Sequence, residues 1–166
     1  MTDAGELRRL SAEIGVRRLH ALCADAVWRK DRGAFVACFA DDGEWKVAGA
    51  HLRGRDEIGD GFERFLALNE RVLMRFGSPI LEIGRGVASG RTYVTETVRS
   101  REGAGLCSIG IYYERFVETG GEWRFVWRHF DFCYFGPPDL SAPLFPFVDR
   151  GPPPTLPGAG EPTAGM

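Results

Sequence analysis

The chain has four cysteines, Cys23, Cys38, Cys107 and Cys133, but no CxxC pair and no Cys/His cluster with the spacing of a four-ligand zinc site. They read as small buried hydrophobes in a reducing compartment, so the expected location is cytoplasmic. No charged n-region precedes an apolar h-region at the start, and no apolar run approaches the roughly 20 residues that span a bilayer. Neither a secretory leader nor a membrane partner is therefore expected. Basic excess is missing too: 21 Lys and Arg stand against 23 Asp and Glu, for a net charge of −2. That balance excludes the electrostatic footprint of a nucleic-acid binder. No Gly-rich phosphate loop follows a strand, and Gly103-Ala104-Gly105 reads as a hairpin turn. Without a Gly-x-Ser-x-Gly elbow or a His-Glu-x-x-His helix, the sequence supports no organic cofactor and no metal.

What is present is an ordinary globular composition, 44% hydrophobic and 27% charged over 166 residues, which suits one domain with a core of its own. Leu19, Leu22, Cys23, Ala26 and Val27 recur at helical spacing, and Asp31-Arg32-Gly33 ends that helix. A short second helix over 34–39 carries Phe35, Val36 and Phe39. Asp41-Asp42-Gly43 predicts a turn before a strand at 44–47, and Gly54-Arg55-Asp56 opens a third helix with Ile58, Phe62, Phe65 and Leu66 on one side. Strands then follow at 72–76, 80–83, 92–99, 106–117 and 122–134. Helices first and a meander afterwards is an α+β pattern. Nine of the ten prolines lie after Tyr134, so the expected organisation is a domain over 1–148 and a disordered Pro/Gly-rich tail over 149–166.

Several blocks together resemble a known family. They are Phe39-Ala40-Asp41-Asp42-Gly43-Glu44-Trp45, Gly54-Arg55-Asp56-Glu57-Ile58, Tyr113-Glu114-Arg115-Phe116 and Gly121-Glu122-Trp123-Arg124-Phe125. In order and spacing they are similar to the SnoaL-like family of the cone-fold superfamily, in its scytalone dehydratase and hexachlorocyclohexane dehydrochlorinase branch. The likeness runs from about Leu10 to Phe135. It implies helices packed in the concave face of a strongly bent antiparallel sheet, a blind cavity, and assembly as a homo-oligomer, dimer or trimer. Gly84, Gly86, Gly90 and Gly110 are where the strands of such a sheet could bend. That branch works with an Asp–His dyad, but an ungapped match puts Trp28 and Arg75 at the two positions.

Strand alternation then selects the residues that face the cavity. In the register the resemblance implies, Val94, Glu96 and Val98 face inward with Ser108, Gly110, Tyr112, Arg128, Phe130 and Phe132. Trp28, Trp45, Leu73 and Arg75 complete the expected wall. Glu96 is the candidate general base, Arg75 or Arg128 the candidate stabiliser of an enolate oxygen, and Tyr112 a hydrogen-bond donor to it. A structural Glu96–Arg128 ion pair is the competing reading. Slipping the register by one presents Thr95, Thr97, Trp127, His129 and Asp131, with His129 and Asp131 as base and orienting partner. The expected activity is cofactor-independent proton transfer on a small aromatic or polyketide-like metabolite, as an isomerase, dehydratase or cyclase. The alternatives are a non-catalytic small-molecule binder and the small subunit of a ring-hydroxylating oxygenase.

Overall fold

A computed structural model describes residues 3–152 and 155–163, apart from the Asp3 side chain. The first helix, α1 (Asp3–Arg29), buries Ala12, Val16, Leu19, Cys23, Ala26 and Val27. These recur every three or four residues along one stripe. Leu22 sits roughly a quarter turn away from that stripe at 100° per residue, and it is exposed rather than packed. Asp31 caps α2 (Arg32–Ala37) by accepting a 2.9 Å bond from the Ala34 amide. The helix ends at Ala37, two residues before Phe39, which instead opens β1 (Phe39–Val47). The predicted Asp41-Asp42-Gly43 turn is a bulge inside that strand, between the Phe39↔Phe125 and Glu44↔Trp127 pairings. Arg55 holds it by donating to the Phe39 carbonyl at 3.0 and 2.6 Å.

After β2 (Ala50–Arg53) and α3 (Gly54–Ala67) come β3 (Asn69–Phe76), β4 (Ile80–Ile83), β5 (Val87–Ser100), β6 (Gly105–Thr119) and β7 (Glu122–Gly136). They form one curled seven-stranded sheet in the order β2-β1-β7-β6-β5-β3, with β4 also on β5. The architecture is α+β, with helices on the concave face. The sheet is mixed, however, not wholly antiparallel, because β1 runs parallel to β7. β1 and β7 are joined only through β2, α3 and β3 to β6, so no tight hairpin imposes an antiparallel pairing on them.

Two bulges in β7 decide which residues face the core. Val126 is unpaired between Arg115↔Trp127 and Phe116↔Phe125, and Cys133 is unpaired between Ile109↔Tyr134 and Gly110↔Phe132. Each extra residue flips the alternation. Trp123 and Phe125, then Arg128, Phe130 and Phe132, and finally Phe135 thus all point inward. Gly110 is required at the second bulge. A Cβ there would lie 2.4 Å from the Asp131 carbonyl oxygen and 2.4 Å from the Phe130 ring. The Gly110→Ala variant is expected to lose about 1–3 kcal/mol of stability by overpacking, read as a lower urea midpoint at unchanged slope.

The segment after β7 folds back. Phe145 packs on Phe132 and its amide bonds the Cys133 carbonyl at 3.0 Å, while Leu144 and Phe147 stay exposed. The expected disordered tail is corrected over its described residues, which lie on the sheet's outer face. Leu156 packs against Ile111, Tyr113 and Trp127. Lys46 donates to the Ala159 carbonyl at 3.0 Å and to that of Glu161. Arg150 bridges Asp131 at 3.2 Å and Glu161 at 2.8 Å. Apolar periodicity is absent because the segment is held mainly by backbone carbonyls and ion pairs, which leave no repeat in a sequence. Residues 153–154 and 164–166 of the expected tail lie outside the described residues.

Candidate active site

α3, β3 and the inner faces of β5, β6 and β7 enclose a cavity of about 570 Å³, inside the usual range for small-molecule sites. Aromatic rings dominate the wall, with Phe35, Trp45, Phe62, Phe65, Phe130 and Phe132 all contributing. Phe35 and Phe62 stack at 4.1 Å between ring centres, which joins α2 to α3 above the sheet. Polar groups enter from the sheet. Glu96 and Ser108 are cross-strand partners and share the inner face. Tyr112 is four residues further along the same face of β6 and also lines the cavity.

The surroundings of these groups set their chemistry. Burial pushes the Glu96 carboxyl up to about 7, with the Ser108 hydroxyl and the more distant Arg128 drawing it part of the way back. Glu96 therefore exchanges a proton near neutral pH. Burial also holds the Tyr112 phenol well above its ordinary value, against the pull of Arg128, so it stays protonated. The Trp45 indole N–H donates to the phenol oxygen at 3.2 Å, which leaves the phenol's own hydrogen free for a ligand.

Behind Tyr112 lies a second polar group of residues, sealed from the cavity. The Arg128 guanidinium stacks 3.7 Å from the Tyr112 ring and 4.0 Å from Phe125. Its Nε donates to Glu114 Oε1 at 2.9 Å, with both side chains fully buried. Glu114 Oε2 accepts from Thr92 at 2.9 Å and pairs with His20 Nε2 at 2.8 Å. Burial raises the Glu114 carboxyl, but the His20 and Arg128 charges outweigh it and hold the group below its ordinary value.

The expected residues thus divide. Glu96, Ser108, Tyr112, Trp45, Phe130 and Phe132 share one cavity wall. Arg128 faces inward but is committed to Glu114, so the anticipated Glu96–Arg128 pair does not form. Arg75 and Leu73 lie on the other side of β3, since Met74 pairs with Glu96 and Val72 with Val98, and cross-strand partners share a face. Arg75 is exposed, and Val72 and Met74 take the wall positions. Val94 is buried in the core beside Phe76, off the cavity wall. Trp28 is 42% exposed, with its indole N–H bonded to the Met74 carbonyl at 2.8 Å. His129 and Asp131 do bond, at 2.9 Å, but on the outer face beneath the C-terminal segment. The alternative register is therefore the outside of the sheet. Neither of these two arginines lines the cavity; the arginine among its lining residues is Arg101, in the turn between β5 and β6.

Glu114 and His20 were missed as partners. The signal for Glu114 was one more step of the Ser108, Gly110, Tyr112 alternation. For His20 it was the Val16, Cys23 and Val27 stripe on which it lies.

Comparison with known proteins decides the family, because the SnoaL-like domain matches residues 8–129, most of the chain. The protein belongs to the SnoaL-like family. No curated protein sequence matches it. Among solved structures, it is similar to a type 2 hexachlorocyclohexane dehydrochlorinase at 18% identity and a TM-score of 0.73, covering 90% of this chain and 99% of that one. It is also similar to a protein from Novosphingobium aromaticivorans named for scytalone dehydratase, at 17% identity and a TM-score of 0.74 over 92% and 100%. Rv3472 of Mycobacterium tuberculosis, whose function is unknown, matches at 21% identity and a TM-score of 0.65 over 72% and 74%. These likenesses establish the SnoaL-like cone fold. Among the described residues, no helix is long and apolar enough to cross a membrane, and no three His, Cys, Asp or Glu side chains gather as a metal would require.

Proposed function

We propose that this SnoaL-like protein is a cofactor-independent enzyme that moves a proton on a small, largely apolar metabolite, aromatic or polyketide-like, as an isomerase, dehydratase or cyclase. The observation that carries this reading is Glu96, a carboxyl lifted to about 7 in an aromatic-walled cavity that also holds an oriented phenol. The ionised Glu96 takes a proton from a carbon next to a carbonyl. Tyr112 donates its hydrogen bond to the enolate oxygen that develops. Glu96 then returns the proton to another carbon, completing an isomerisation, or to a departing hydroxyl, completing loss of water. Substrate preference is for ring-bearing molecules, because aromatic side chains dominate the wall. The dehydrochlorinase and dehydratase names among the structural neighbours support this reaction class.

The test is to incubate the protein with an extract of its producing cells and with a panel of hydroxylated aromatic ketones, following mass and isomer composition by chromatography. Glu96→Gln is expected to lower turnover at least 100-fold, and Tyr112→Phe about 10- to 100-fold. For the wild type, kcat/KM is expected to rise with pH through about 7 and then level off, as the base form of Glu96 fills. A Glu96→Gln enzyme with unchanged turnover overturns the assignment. A ligand that binds and is recovered unchanged establishes a binding protein instead.

A further inference from the structure

α1 carries two apolar stripes, and the fold uses only one of them. A surface helix needs a single stripe to bury against its core, and Ala12, Val16, Leu19, Cys23 and Ala26 supply it. Leu7, Leu10 and Ile14 lie on the opposite side at 100° per residue, and they stand 63, 46 and 68% exposed. The row continues through Arg17, Ala21 and Ala24. Steps of three and four residues therefore alternate from Leu7 to Ala24, which is the repeat of a helix that pairs with another helix.

The composition of the row selects its cover. Its first half is bulky and most of its second half is small. In an antiparallel pair of α1 helices about a two-fold axis, Leu7 meets the partner's Ala24, Leu10 the partner's Ala21 and Ile14 the partner's Arg17. Each bulky side chain then faces a short or flexible one. A parallel pair would set each residue against its own copy, leaving alanine on alanine and one Arg17 against the other.

Two further observations agree with the antiparallel pair. The small half of the row is also hollow, because Arg17, Ala21 and Ala24 border a groove of about 270 Å³ whose far wall is Phe76 and the Gly77-Ser78-Pro79 turn. That groove receives the partner's Leu7 and Leu10. Charge matches as well. Glu13 and Arg17 lie along one edge of the row, and antiparallel packing sets Glu13 beside the partner's Arg17 on both sides of the axis. Within its own chain Glu13 has a 3.7 Å approach to Arg9 on the exposed surface, which costs little to give up. The outer face of the sheet is taken, because Leu156 of the same chain packs on Ile111, Tyr113 and Trp127.

We propose that the protein forms a two-fold dimer through α1, its partner being a second copy of this chain with the two helices antiparallel. The interface does not rest on the reaction proposed for the Glu96 cavity.

The experiment is sedimentation velocity of the full chain from micromolar to hundreds of micromolar concentration. A reversible monomer–dimer equilibrium is expected within that range, as suits an interface at the small end of the usual sizes. Leu10→Glu and Ile14→Glu change exposed positions, so each variant is expected to melt cooperatively and to stay monomeric throughout. Glu13→Arg is expected to weaken the dimer about tenfold, and adding Arg17→Glu to recover most of that loss. Cysteines read the orientation. Leu10 and Ala21 are about 16 Å apart along one helix, too far for a disulfide within a chain. Oxidising a mixture of the Leu10→Cys and Ala21→Cys proteins is expected to give the mixed dimer in excess over either homodimer. A wild type that stays monomeric, a dimer untouched by both glutamate variants, or an excess of the Leu10→Cys homodimer would each overturn the proposal.

Discussion

Replacing Arg128 by methionine is expected to lower the unfolding free energy by about 3–5 kcal/mol at neutral pH, the usual cost of stranding one member of a buried ion pair. Glu114 would keep Thr92 and His20 but lose the guanidinium 2.9 Å away. The two aromatic faces that sandwich Arg128 would lose their cation as well. The double variant Arg128→Met with Glu114→Gln is expected to recover most of the loss, because removing both charges also removes the desolvation penalty. Urea unfolding of the two single variants and the double variant measures the coupling. A single-variant cost under about 1 kcal/mol would show that Glu114 is not ionised in the fold. Acid should mimic the mutation. The Glu114 carboxyl is held below its ordinary 4.5, so the stability it contributes is present above that value and drains away as pH falls through the lower, folded one.

Glu96 carries the opposite sign, and its replacement is the second large effect. Its carboxyl is raised from 4.5 to about 7 in the folded protein. Below pH 4.5 it is protonated whether the chain is folded or not, and it costs nothing. As pH rises, the unfolded chain gives up this proton first, and folding is penalised until pH passes about 7. The full penalty is about 2–3 kcal/mol for a shift of this size in a group that opens on a cavity. Glu96→Gln is therefore expected to match the wild type near pH 4 and to exceed its stability by about that amount at pH 8, read by thermal or urea unfolding across the range. A difference that stays flat with pH would mean that Glu96 titrates normally, and the acid–base role proposed for it would fall with the shift. An active site that costs stability to keep its carboxyl poised is a familiar trade.

Much of the element order was legible because it rests on local rules. The apolar stripe of α1, the aromatic side of α3 and the alternation through Glu96, Ser108 and Tyr112 are short-range patterns that a period of 3.6 or 2 exposes. The errors have a common cause. The sequence alone puts β3 out of phase, because its parity is set by partners on β5 far along the chain, such as Met74 with Glu96. The sheet was read as antiparallel because a parallel pairing between the first and last strands leaves no local mark. The tail looked disordered because carbonyls and ion pairs hold it down.

By itself, then, the sequence determined the α+β class, the SnoaL-like resemblance and the aromatic character of the cavity, since hydrophobic periodicity and turn chemistry act over a few residues. Only the tertiary structure decided which charge met which. β6 and β7 bury both of their faces, and β7 carries two bulges, so alternation alone could not say whether Glu96, Glu114 or Asp131 would take the arginine. The β6–β7 register sets Glu114 directly across from Arg128, with His20 of α1 against it, and leaves Glu96 with Ser108 among aromatic rings. Burial without an ion pair is what lifts its carboxyl into the range where it can move a proton.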